Sequence, residues 1–149
     1  MKKIILSIAT VLIIGLSAFA NKVGDVNQQA VKAFTKEFAN ARNPIWEEKK
    51  DYTKVTFTLN EQVMSAFYNN NGELQAVVRN IISDQLPINL LTELKREYNG
   101  FWITELFEMA SDDQTTYYIT LENADKTIVL RSSGTKYWSM YSKANKDAE

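Results

Sequence analysis

The chain has 149 residues, with 17 lysines and arginines against 18 aspartates and glutamates, no histidine and no cysteine. That balance gives no broad basic field for nucleic acid or anionic lipid. The missing histidine and cysteine exclude disulfides and remove the usual near-neutral base, the thiolate nucleophile and the commonest transition-metal ligands.

Lys2 and Lys3, the apolar run Ile4 to Leu16 and Ala18-Phe19-Ala20 have the layout of a secretory signal peptide, assigned to residues 1–20 with cleavage after Ala20. The apolar run is short for a spanning helix of about 20 residues, and polar Asn21-Lys22 follows at once. A periplasmic or secreted protein is therefore expected, with no membrane contact after cleavage. Residues 21–142 read as a single domain of two repeats, about 25–80 and 85–141, and 143–149 as a frayed tail.

In the first repeat Asp25 or Asn27 can cap a helix whose Ala30, Val31, Phe34 and Phe38 recur at helical spacing. Pro44 biases Asn43 toward extended chain, so Ile45 and Trp46 begin strand structure. Val55, Phe57 and Leu59 alternate with Lys54, Thr56 and Thr58, the period of a sheet with one buried face. After a turn at Asn60-Glu61-Gln62, Met64, Ala66 and Tyr68 continue the inward side. Asn69 to Gly72 closes the next hairpin into Leu74, Ala76 and Val78.

Ser83 to Pro87 announces a second helix lined by Leu90, Leu91 and Leu94, and Gly100 is placed to end it in the left-handed conformation. Phe101 to Met109 follows as a strand, then Tyr117 to Glu122, Thr127 to Ser132 and Lys136 to Tyr141. Thr58-Leu59 through Gly72 answers to Thr120-Leu121 through Gly134 at an offset of 62, and Val31, Phe34 and Phe38 answer to Leu91, Leu94 and Tyr98 at an offset of 60. The fold class predicted is α+β, a tandem duplicated helix-plus-antiparallel-strands unit, since one copy alone buries too little apolar surface. Trp46 and Trp102 are expected to pack in equivalent corners of the two copies.

Asn43-Pro44-Ile45-Trp46, Tyr-x-x-Val-x-Phe at Tyr52 to Phe57, Ala66-Phe67-Tyr68 to Gly72-Glu73-Leu74, Leu86-Pro87, Tyr98-Asn99-Gly100 and Tyr117 to Leu121 follow the signal segment in order. This arrangement resembles the PepSY-like, beta-lactamase-inhibitor-protein-like family of exported bacterial proteins. The resemblance covers most of the mature chain and rests on core, turn and helix-entry residues. It implies one curved antiparallel sheet with two helices on one face. No inhibitory residue pattern can be placed on this sequence, so it does not imply inhibition of a beta-lactamase.

Catalysis has few carriers. Ser132 or Ser133 with Lys136 could form a serine–lysine pair, but Ser-Ser-Gly-Thr-Lys reads as a hairpin turn. Glu47-Glu48 and Asp112-Asp113 are adjacent loop acids, and Glu105 and Glu108 lie on opposite faces of one strand by parity. None of these sets the defined carboxyl separation of a glycosidase. Asp112, Asp113 and Glu122 could gather around calcium, yet no Asp-x-Asp-x-Asp-Gly loop exists, so no metal site and no cofactor are assigned.

Parity sends Phe67, Val77, Tyr118, Val129, Arg131, Tyr137 and Tyr141 to the sheet face opposite the helices. Their chemistry matches protein-binding surfaces, although strand propensity enriches the same types. The reading is a non-catalytic exported binding protein, not an enzyme, that takes a protein or peptide on this open face. The alternatives are a small-ligand carrier with a cavity between the repeats and a carboxylate-based or calcium-dependent hydrolase.

Overall fold

The computed structural model describes residues 26–112 and 114–146. The signal-peptide assignment, residues 1–20, lies outside them. The elements run α1 (Gln28–Glu37), β1 (Arg42–Glu48), β2 (Thr53–Leu59), β3 (Gln62–Tyr68), β4 (Leu74–Asn80), a short 3-10 turn (Ser83–Gln85), α2 (Ile88–Glu97), β5 (Trp102–Ser111), β6 (Gln114–Glu122), β7 (Lys126–Ser133) and β8 (Ser139–Asn145). The eight strands form one antiparallel sheet in chain order, β1 to β8. This is an α+β fold with an open sheet.

Two compact units divide the chain. Among the described residues, one holds 26–59 together with Ala66–Gln75, and the other holds Asn60–Ser65 and those from 76 to 146.

In the first unit the Asn27 side chain accepts hydrogen bonds from the N–H groups of Gln29 (2.9 Å) and Ala30 (3.3 Å), satisfying two of the donors that an N-terminus leaves unpaired. It also donates to the Asn70 carbonyl at 2.9 Å, tying α1 to the β3–β4 hairpin. Phe34 is packed by Phe38, Trp46 and Phe57 at centroid distances of 5.5, 5.3 and 5.0 Å. Edge-to-face geometry at Trp46 and Phe57 adds to the area term. Buried Tyr68 donates its hydroxyl to Glu37 at the end of α1 (3.1 Å). Gly72 has a φ of +77°, and a Cβ there would lie 2.5 Å from Gln29 Cβ, so only glycine lets the hairpin reach α1.

The second unit repeats the plan with aliphatic filling. Leu90 and Leu94 of α2 meet Leu106, Ile119, Leu121, Ile128 and Leu130 in one cluster, each fully buried side chain contributing roughly 1.5–3 kcal/mol. Trp138 closes the cluster, donating its indole N–H to the Leu90 carbonyl and its backbone N–H to Glu93, both at 3.0 Å. Burial alternates identically along 26–46 and 86–106, and both copies carry a register shift at the matching place, between Arg42 and Ile45 and between Ile103 and Glu105. This internal repetition is the physical signature of duplication.

Four expectations are corrected. Gly100 is not among the glycines with positive φ; α2 ends where the Tyr98 N–H reaches the Leu94 carbonyl (3.0 Å) and Phe101 then bonds back to Tyr98 (3.1 Å). Trp46 and Trp102 are not equivalent. The register sets Trp46 opposite Val55 and Leu106 opposite Ile119, so Leu106 takes the buried corner and Trp102 is 52 % exposed. The β2–β6 correspondence accordingly runs from Val55 to Ile119, two residues away from the sequence offset, because the preceding turns differ in length. Finally, residues 143–145 belong to β8: Lys143, Ala144 and Asn145 pair with Ile128, Thr127 and Lys126.

Candidate functional site

Cross-strand partners project to the same side of a sheet, which fixes the candidate face in the second unit. Asn80 pairs with Phe107, Phe107 with Tyr118, Tyr118 with Arg131, and Arg131 with Ser139. The Phe107 and Tyr118 rings stack at 5.0 Å with an interplanar angle of 18°, and Tyr141 meets Tyr118 edge-on at 5.6 Å. A bulge in β8 puts Tyr141 there, because Val129 pairs with Ser142 while Leu130 pairs with Met140. The Arg131 guanidinium stands 5.8 Å from the Tyr118 centroid, and its buried Nε finds no hydrogen-bond acceptor among the described residues. Burial raises the Tyr118 hydroxyl pKa above the usual tyrosine value; the Arg131 charge opposes that and Tyr141 adds to it.

This face is less open than the sequence suggests. Phe67, Tyr118 and Val129 are only 1 %, 3 % and 6 % exposed, since neighbouring rings and strands close over them. Phe67 packs in the first unit against Tyr52, at 5.8 Å. Val77 pairs with Ala110, two residues from the Arg79–Glu108 pair, and so lies on the side of Tyr117 and the α2 core rather than that of Tyr118. Arg131 and Tyr141 are half-buried, and Tyr137, just before β8, is 67 % exposed.

The acids have structural partners. Glu47 pairs with Lys54 at 2.8 Å, and Glu48 accepts from the Thr53 hydroxyl and the Asn27 N–H. Glu108 binds Arg79 at 2.9 Å, Glu105 accepts from the Thr120 hydroxyl at 3.2 Å, and Glu122 binds Lys146 at 2.8 Å. Asp112 occupies a tight turn at φ +45° and Asp113 lies outside the described residues. Among the described residues no three acids converge on a possible metal position. The Ser132 hydroxyl donates to the Gly134 carbonyl at 3.3 Å, fixing the β7–β8 turn.

A cleft of about 240 Å³ that the sequence does not announce lies within the second unit, lined by Leu91, Leu94, Tyr98, Phe101, Ile103 and Leu121, with Ser83, Lys95 and Asn99 as its polar groups. Its origin is legible in the duplication. Where the first unit stacks Phe34, Phe57 and Trp46, the second has Leu94, Leu121 and Leu106. Beside the cleft, β5 outruns its neighbour: β4 ends at Asn80 opposite Phe107, so Trp102–Glu105 pair on the β6 side alone among the described strands.

No protein-family model matches the chain, and no curated protein matches it. Solved structures do match. A DUF2874 family protein from Bacteroides uniformis superposes with a TM-score of 0.71 at 13% identity, covering 80% of this chain and 89% of that one. A BLIP-like protein from Bacteroides fragilis gives 0.66 at 17% identity over 82% and 90%. A candidate periplasmic protein from Bacteroides eggerthii gives 0.69 at 12% identity over 78% and 86%. No helix among the described residues is long and apolar enough to cross a membrane. At these identities the likeness is one of architecture, and the chain has the BLIP-like fold.

Proposed function

We propose that this is a non-catalytic, exported binding protein of the PepSY-like and beta-lactamase-inhibitor-like kind that engages a protein or peptide through the β6–β8 surface of its second unit. Arg131 carries the reading: a half-buried guanidinium held against Tyr118, with no carboxylate partner among the described residues, is a group whose pairing a partner can complete. Tyr141, edge-on to Tyr118, and Tyr137, two residues before Ser139, the cross-strand partner of Arg131, supply the accessible aromatic area. The structural commitments of the acids and the likeness to a BLIP-like and a candidate periplasmic protein support binding over catalysis.

The immobilised mature chain, compared with Tyr137→Ala and Arg131→Gln, tests this against a periplasmic extract of its source. Tyr137→Ala should lower retention of a captured partner about tenfold with the thermal transition unchanged, because the ring is 67 % exposed. Arg131→Gln should lower it at least as much. Undiminished retention by both folded variants would remove this surface from the binding function.

A further inference from the structure

We infer that the cleft between α2 and β5 is a second recognition site, one that takes an extended peptide carrying a large apolar side chain and a carboxylate two positions away. The inference does not rest on the β6–β8 surface and uses none of its residues.

The backbone supplies the first half of the site. Trp102, Ile103, Thr104 and Glu105 are all exposed, and their only described strand neighbour is β6. Such a half-paired ribbon offers N–H and C=O groups to an added strand. The cleft supplies the second half. Ile103 belongs to both the open ribbon and the cleft wall, so a peptide residue set beside Ile103 projects to the same side and enters the cleft. The volume, about 240 Å³, falls below the roughly 300–1,000 Å³ of sites for drug-sized ligands and suits one large side chain.

Charge selects among peptides. Lys95 lines the cleft and has no carboxylate partner among the described residues, and the Lys126 ammonium lies over the Phe101 ring at 5.5 Å. A strand repeats its facing every second residue, so a carboxylate two positions from the inserted side chain lies on the same side, toward these cations. The corresponding place in the first unit is closed by the aromatic stack of Phe34, Phe38, Trp46 and Phe57, so the site is particular to the second copy.

Trp102 reports the outcome, because it is 52 % exposed while Trp46 and Trp138 are each 6 % exposed. The probe is the capped pentapeptide Thr-Phe-Thr-Glu-Thr, acetylated and amidated, titrated into the intact chain. The peptide should shift Trp102 emission to the blue and protect it from iodide. The Glu-to-Lys peptide and one with N-methylated amides should each bind at least tenfold more weakly. Lys95→Glu, a change at an exposed position, should weaken binding at least tenfold, and Leu94→Phe, which installs the first unit's residue, should abolish it. Absence of binding at about 1 mM peptide, or binding indifferent to both variants, overturns the inference. So does octanoate competing as well as the peptide, which would mark a lipid-like ligand, or Trp102 protection that tracks protein concentration alone, which would mark a second copy. Loss of the Arg131 and Tyr137 effects would leave this result untouched.

Discussion

Three glycines separate what backbone conformation costs from what close packing costs. Gly72 and Gly134 both have positive φ, +77° and +101°, whereas Gly100 does not. An alanine Cβ at Gly72 would meet Gln29 Cβ at 2.5 Å, Gln29 C at 2.7 Å and Ala30 N at 3.0 Å; at Gly134 and Gly100 it would meet nothing within 4 Å. The atoms struck at Gly72 are mostly the backbone of the first turn of α1, which the Asn27 cap holds in place, so no flexible side chain can swing aside. Gly134→Ala should therefore cost about 1–2 kcal/mol for the left-handed conformation. Gly72→Ala adds roughly 1–3 kcal/mol of overpacking, for a total of about 2–5 kcal/mol. Gly100→Ala should be neutral or stabilising by about 0.4–1 kcal/mol, through the reduced freedom of the unfolded chain. Urea titrations followed by circular dichroism and tryptophan emission measure all three. A Gly72→Ala cost no greater than that of Gly134→Ala would refute the rigid approach of the hairpin to α1.

Asn27→Ala removes both the cap and the link to Asn70 and should cost about 1–2 kcal/mol, while Asn27→Asp, which keeps the cap but not the amide donor, should recover part of it; urea midpoints give both. Stability should also fall at alkaline pH. Burial, and secondarily Glu37, raises the Tyr68 pKa well above the ordinary tyrosine value of 10.0, so above pH 10 the unfolded chain has lost a proton that the folded one keeps. The stabilisation is thus complete below about pH 10 and declines as pH rises toward the folded value, by at most about 1.4 kcal/mol per pH unit for one such group. Tyr68→Phe should flatten the unfolding midpoint between pH 9.5 and 11 relative to the wild type; equal slopes would show that another group governs the decline.

Local rules reached the helices and most turns, because those depend on neighbours in sequence. Asn27, Ala30 and Phe34 announce α1, and the positive φ of Asn60 and Glu61 is the backbone form expected of a two-residue hairpin turn. Alternation placed Val55, Phe57, Ile119 and Leu130 in the interior, where they are. Parity, however, is a property of one strand. It does not carry across the 3-10 turn and α2 that separate β4 from β5, so it could not show that Val78 rather than Val77 shares a side with Tyr118. Trp102 departs because the counterpart of Trp46 at the helix offset of 60 is Leu106, with Trp102 answering to Arg42, and the closing of Tyr118 by Phe107 and Tyr141 needs four strands, β5 to β8, in register at once. The cleft was hidden for another reason. Leucine and phenylalanine score alike as apolar, and the difference between Phe34 and Leu94 appears only as volume.

Because the strands stand in the sheet in the order in which they occur in the chain, each new strand finds the edge it needs already made by its predecessor. A polypeptide delivered N-terminus first, whether from a ribosome or through a pore, can add strands one at a time without waiting for a distant segment to arrive. Assembly of this kind needs no long loop closure and leaves one growing edge at a time to be guarded. The last described strand is fastened when Lys146 reaches back to Glu122 and Asp125, which pins the end of β8 to the turn between β6 and β7.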